Sequence, residues 1–275
     1  MVAVVADSAA NLPPDVAQEL CIEIVPMYLK LGEDAYRDGS DLSLTDFYRR
    51  LVSGRSRATT STPSPGDFLE AFRRTGQSEV VCVTVASTMS ASYQEALLAA
   101  TRFDGRVEVV DSMSASMAEG FVALEAARAA ASGASLEQVA SHGREIAPKT
   151  WLFATVDSFE FLRRSGRVNR LQAYAATMLD MKPVFRFQGA EATPVGRPRT
   201  RRRALSRVID ESLMAIGDHP VHLAGIHASA EEEARQIVDR VSAKANVVEG
   251  FVVEVTPVIG AHTGPGLVGT AFFCE

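Results

Sequence analysis

The stretch Glu79-Val80-Val81-Cys82-Val83-Thr84-Val85-Ala86-Ser87-Thr88-Met89-Ser90-Ala91-Ser92 decides the fold. Its first half, rich in β-branched side chains, reads as a buried strand; a polar, hydroxyl-rich turn follows, and a helical pattern runs over about 91–102. The same order recurs on both sides. Val2 to Ala6 leads into Asp7-Ser8-Ala9-Ala10-Asn11, and Val107 to Val110 leads into Asp111-Ser112-Met113-Ser114 and a helix over 114–132. Strand, polar turn and helix in succession mark strand–helix–strand units on a largely parallel sheet. Further helices are expected at about 45–53 and 64–75. Ser43 with Asp46, and Ser64 with Pro65 and Asp67, supply their capping chemistry.

A helical pattern from Ser135 stops at Pro148, and a second alternating series opens with Trp151 to Val156. It continues through strands near Pro183–Phe187, His222–Ile226, Val247–Val255 and Leu267–Phe273, with helices near 202–216 and 229–243. The reading is an α/β protein of two α/β domains, 1–148 and 149–275, the first built on a largely parallel sheet.

The 275 residues are 47% hydrophobic and 23% charged, which suits a globular chain and excludes a disordered or fibrous one. With 28 Lys and Arg against 34 Asp and Glu, the net charge of -6 argues against a protein that coats nucleic acid. Cys21, Cys82 and Cys274 are odd in number and widely spaced, and they read as buried free thiols of a reducing compartment. Met1 to Ala6 is too short for a signal peptide, and no later run is apolar for long enough to span a membrane, so a cytoplasmic chain without stable membrane insertion is expected.

In open α/β sheets ligands bind beyond the carboxyl ends of the strands, where all three first-domain turns carry hydroxyls. Thr59-Thr60-Ser61-Thr62-Pro63-Ser64 adds a fourth cluster before a helix. Hydroxyls beside unpaired helix N–H groups suit a carboxylate or phosphate, although each cluster taken singly also reads as a helix cap. Neither G-x-x-x-x-G-K-[ST] nor G-x-S-x-G occurs. Gly264-Pro265-Gly266-Leu267-Val268-Gly269 fits G-x-G-x-x-G, yet it leaves no room for the following helix and is rejected as a dinucleotide loop. His262, just before it, reads either as a donor to an anion or proton carrier, or as a surface histidine beside a tight turn. The other histidines, His142, His219, His222 and His227, show no strong ligand spacing, so no metal is expected. Arg197-Pro198-Arg199-Thr200-Arg201-Arg202-Arg203 forms a basic stretch, either a solvated helix start or a contact for phosphate or an acidic partner. Arg163 to Arg170 forms a second, expected on a loop because Gly166 breaks its pattern.

At these residues the sequence resembles the DegV family, lipid-binding proteins that include the fatty-acid-carrying subunits of bacterial fatty acid kinases. Ala6-Asp7-Ser8-Ala9-Ala10-Asn11-Leu12 is similar to the family's T-D-S-x-x-D-L, and Thr60-Ser61-Thr62-Pro63-Ser64 to its T-S-Q-P-S. Ser87-Thr88-Met89-Ser90-Ala91-Ser92-Tyr93-Gln94 resembles S-S-x-L-S-G-T-Y-x. Ser165-Gly166-Arg167-Val168 resembles G-G-R-I, Met181-Lys182-Pro183-Val184 resembles K-P-I, and Ala261-His262-Thr263-Gly264-Pro265-Gly266 resembles H-x-G-P-G. The ordered set covers nearly the whole chain. Thr62 stands where the family has Gln, and Ala91 where it has Gly, which narrows the backbone choices there.

The resemblance implies a tunnel between two domains holding one long-chain fatty acid, with the carboxylate gripped at Thr60 and Ser90. Ser61, Arg167 and His262 would then lie near the headgroup. It further implies a non-catalytic subunit with no cofactor of its own, presenting the carboxylate to a partner kinase that carries the ATP chemistry. Two other classes compete. A stand-alone acyl hydrolase or transferase would use Ser90 as nucleophile and His262 as base. A regulatory protein would put the Arg197–Arg203 stretch on nucleic acid, against the acidic balance.

Overall fold

The computed structural model describes residues 1–53, 58–167 and 181–275. Its first sheet joins β1 (Val2–Asp7), β2 (Ile22–Val25), β6 (Glu79–Thr84) and β7 (Arg106–Asp111) in the order β2-β1-β6-β7, every pair parallel. The strands are apolar on both faces because both are covered. Val5, Val80, Cys82 and Val109 pack on one side under α3 (Pro65–Arg74) and α4 (Ser92–Ala100). Val4, Val81, Val83 and Val110 face the other, under α5 (Met117–Ala131) and α6 (Leu136–Ile146). Ser43 accepts from the Asp46 N–H at the start of α2 (Leu44–Val52), and Ser64 with Asp67 forms a reciprocal capping box on α3.

A small antiparallel sheet, in the order β4-β3-β5, comprises β3 (Tyr28–Leu31), β4 (Asp34–Arg37) and β5 (Ala58–Ser61). The third sheet has the order β10-β9-β8-β13-β11-β12. It is formed by β8 (Trp151–Thr155), β9 (Val184–Gln188), β10 (Glu191–Gly196), β11 (Val221–His227), β12 (Val247–Glu254) and β13 (Val268–Cys274). Only β11 and β12 pair in parallel; the other neighbours are antiparallel. The β9–β10 hairpin turns on Gly189 and Ala190, both at positive φ (56° and 64°), the backbone of a type I′ turn.

α5 is the spine. Its residues Met117 to Leu124 are all buried, and it packs between the first and third sheets, with Phe121 against Phe273 at 5.6 Å and Phe251 at 6.1 Å. Its alanines keep it thin enough to be covered on every side. The sequence reading starts this helix too early. Ser116 has φ 54°, which delays the first helical residue to Met117. Cys21, read as buried, is exposed in a turn with φ 51°; Cys82 is buried and Cys274 partly so, all three free. Arg163 and Arg164, expected on a loop, lie on α7 (Glu160–Ser165), which Gly166 ends in the left-handed region; Val168, Asn169 and Arg170 fall outside the described residues. No helix among the described residues is long and apolar enough to cross a membrane.

Two acids are wholly buried where β1 meets the first turn of α5, Asp7 and Glu119, each 0% exposed. Burial pushes the Asp7 carboxyl up to about 6, and burial with the neighbouring Asp7 charge pushes Glu119 well above the usual carboxylate range. A native pKa above the unfolded one means the folded chain holds the proton more tightly, so stability falls as pH rises through the native value. Each tenfold difference in proton affinity between the folded and unfolded chain costs about 1.4 kcal/mol above that pH. Glu119→Gln should therefore match the wild type in urea unfolding near pH 4 and be the more stable of the two near pH 9. An equal difference at both pH values would show that Glu119 is not held neutral.

Candidate functional site

The carboxyl ends of the parallel strands are tied together by two aspartates. Asp7, at the end of β1, accepts from the N–H groups of Ala9 and Val85, both at 3.0 Å. Asp111, at the end of β7, accepts from Ser87 at 3.3 Å and Met113 at 2.8 Å. The turn after β6 is thereby held from both sides. Within it the Ser90 hydroxyl accepts from the Ser92 N–H at 3.2 Å and lies 3.0 Å from the Ser92 hydroxyl. Ala91 at the α4 cap position has no oxygen to offer, so Ser90 satisfies a free N–H of that helix. Ala91 sits at φ −79°, ψ 1°, open to any L-residue, so this turn does not require glycine.

Thr60 is placed by register. It faces Leu29 across the β3–β5 ladder, and burial alternates along β5, so Thr60 turns inward while Thr59 and Ser61 turn out. His262 arrives from the other end of the sequence on α10 (Pro257–Thr263). That helix packs on α2 and β5, and a Cβ at Gly260 would lie 2.7 Å from the Tyr48 hydroxyl and 2.8 Å from the Phe47 ring, so only glycine permits the approach. The result is a 2.8 Å hydrogen bond between Thr60 Oγ1 and His262 Nε2. Arg167 comes round the αL turn at Gly166; its backbone N–H donates to the Ser165 hydroxyl at 3.1 Å and its Nη1 to the Ser165 carbonyl at 2.7 Å.

A cavity of about 770 Å³ brings together all five residues singled out from the sequence: Thr60, Ser61, Ser90, Arg167 and His262. Its apolar lining includes Met27, Val85, Met89, Leu162, Val258 and Ile259. These lie too far apart in sequence, among too many other apolar residues, to be recognised from spacing. A second cavity of about 910 Å³ shares Thr60, Ser165, Arg167 and His262, so these four stand between two voids.

Burial, aided by the Arg167 charge, pulls the His262 imidazole down to about 4. A neutral ring can donate from Nε2 to Thr60, which frees the threonine proton for an anion in the cavity. This does not make a nucleophile of Ser90: its hydroxyl is engaged with Ser92, while His262 is engaged with Thr60. Among the described residues no group of three or more His, Cys, Asp or Glu is arranged to hold a metal ion. The G-x-G-x-x-G match runs directly into β13. Its Gly266 N–H donates to the Ala228 carbonyl and its carbonyl accepts from Arg201 at 2.7 Å. Arg201 also pairs with Glu233 and Asp157, so part of the basic stretch clamps this loop.

The fold and cavity define an α/β protein with a partly apolar chamber whose wall carries hydroxyls, a neutral imidazole and a guanidinium. The chain belongs to the DegV family, a family of uncharacterised proteins whose profile matches residues 1–275. It is 33% identical over 272 residues to a DegV domain-containing protein of Streptomyces coelicolor, covering 98% of this chain and 96% of the relative. It is 32% identical over 275 residues to Protein DegV of Bacillus subtilis, covering 98% and 97%. A DegV family protein from Thermus thermophilus, described as binding fatty acid, superposes with a TM-score of 0.94 at 29% identity, covering 100% of this chain and 99% of that one. DegV of Bacillus subtilis, described as a fatty acid binding protein, does so at 0.87 and 29%, covering 100% and 99%.

The electrostatics can be checked by NMR titration of the His262 ring. Its midpoint should fall near 4 and rise in Arg167→Ala, which removes the repelling charge. A wild-type midpoint near that of a free imidazole would contradict the buried, neutral assignment.

Proposed function

We propose that this chain binds one long-chain fatty acid in the 770 Å³ cavity, carboxylate at the hydroxyls of Thr60 and Ser90 and tail running between units divided near residue 148. A partner kinase would convert that carboxylate to an acyl phosphate. The nucleotide chemistry would belong to the partner: the carboxylate oxygen forms the new bond to the terminal phosphorus of ATP, the bond from that phosphorus to the bridging oxygen breaks, and ADP leaves on the partner. The observation that carries the reading is the shared wall: Thr60, Arg167 and His262 line both the partly apolar cavity and the second void, so a headgroup held there can be approached from the side away from the tail. The similarity to structures described as fatty acid binding supports the ligand class.

The chemistry fits a carrier. Each buried methylene contributes about 0.8 kcal/mol, so the tail supplies affinity and the headgroup contacts fix orientation. Neutral hydroxyls hold a carboxylate that must later react, without locking it in a permanent ion pair. Arg167 and His262 are suited to receive the charge that builds up as phosphate is added.

Thr60→Ala and Ser90→Ala should each weaken fatty acid binding by about 1.5–3 kcal/mol with the fold intact, and the double variant should lose less than the sum. Unchanged dissociation constants in both single variants would remove the carboxylate assignment. Arg167→Ala and His262→Ala should retain bound acid yet lower acyl phosphate formation by a fatty acid kinase; proportional losses in retention and transfer would make them merely binding groups.

A further inference from the structure

Three stretches of chain part the 770 Å³ cavity from a third one, of about 950 Å³, which none of Thr60, Ser90, Arg167 and His262 lines. At each crossing, neighbouring residues face opposite sides: Ala9, Met27 and Val258 line the first cavity, and Ser8, Pro26 and Pro257 the other. The wall is therefore one backbone thick at each of these points. Its three pieces are the turn after β1, the link from β2 to β3, and the start of α10.

Asp38, just after β4 and only 5% exposed, fastens the three together. Its Oδ2 accepts from the Ser8 hydroxyl at 2.7 Å and its Oδ1 from the Val258 N–H at 3.0 Å, while its own N–H donates to the Met27 carbonyl at 2.8 Å. The Ser8 hydroxyl in turn accepts from the Met27 N–H at 3.1 Å. A carboxylate suits the place because each oxygen accepts from a different donor and neither has to donate. Beyond the wall, Leu12, Ala17, Ile24, Leu42 and Val252 give the third cavity an apolar lining that would receive a hydrocarbon tail if the wall were open.

With the carboxylate held at Thr60 and Ser90, the number of carbons decides whether the other end of the acid reaches this wall. We propose that Asp38 is the end stop of the acyl chamber: a positioning residue that holds Ser8, Met27 and Val258 together between two cavities and so sets the longest tail this chain accepts. This rests on the fatty acid reading above and adds a limit of length to it.

The probes are saturated straight-chain acids, offered one at a time to ligand-free protein, with a dissociation constant read for each. Across about 12 to about 24 carbons, wild-type affinity should rise about fourfold per methylene, the worth of burying one, and then fall once the tail meets the wall. Asp38→Ala opens the joint between Ser8 and Val258 and should carry the rise on to longer acids, a shift that loss of a merely structural aspartate would not produce. Asp38→Asn fills the same space and keeps an oxygen for Val258, so it should hold the wild-type limit. Leu42→Trp, which fills part of the third cavity, should leave the wild-type profile alone yet cancel the gain of Asp38→Ala. Where Asp38→Ala does not fold, Met27→Ala decides: the ties of Met27 run through its backbone, so its shortened side chain should admit a slightly longer tail. Wild-type affinity that climbs across the whole series, a folded Asp38→Ala with the wild-type limit, a limit unmoved by Met27→Ala, or a limit shortened by Leu42→Trp alone overturns the end stop while fatty acid binding stands. A wild type that binds none of the acids overturns the function on which it rests.

Discussion

The site depends on one hydrogen bond, the 2.8 Å contact between Thr60 and His262, which links positions 202 residues apart. Everything around it serves that approach. The β3–β5 register turns Thr60 inward, Gly260 lets α10 settle on Phe47 and Tyr48, and Arg201 holds the Gly266 loop that follows. Burial beside Arg167 keeps the imidazole neutral, because a buried ring next to that cation cannot easily carry a second proton.

A second constraint comes from the parallel sheet. Asp7 and Asp111 each spend their carboxylate oxygens on backbone N–H groups of neighbouring turns, so the loop carrying Ser90 is held by strand ends as well as by its own hydrogen bonds. Loops fixed this way can display hydroxyls with little freedom to lose on binding. The same anchoring puts Asp7 out of water, which makes a structural tie also a proton-sensitive one.

The strands and caps of the first sheet were legible because their signals are local. Val2 to Ala6 and Glu79 to Val85 are apolar runs ending in polar turns, and Ser64-Pro65 with Asp67 is a capping box by spacing alone. β2, β3 and β4 were not, because each is four residues long and β4 is largely exposed, too short and too polar to stand out. Thr59 to Ser61 read only as a hydroxyl cluster before a helix but pair as an edge strand, a choice made by Leu29 and its neighbours across the ladder. The site residues were reached through motif resemblance. Spacing could not have joined Thr60 to His262, nor shown that Ser92 backs Ser90, since tertiary packing alone decides both. The basic stretch misled in part, because Arg201 turns inward to Glu233 and Asp157 while the residues beside it stay exposed.

The most direct test of the account is chemical. Purified protein, denatured and extracted with organic solvent, should release close to one long-chain fatty acid per chain when the extract is read by mass spectrometry. Extracts from several independent preparations that contain no acyl lipid, or a stoichiometric ligand without a carboxylate, would contradict it.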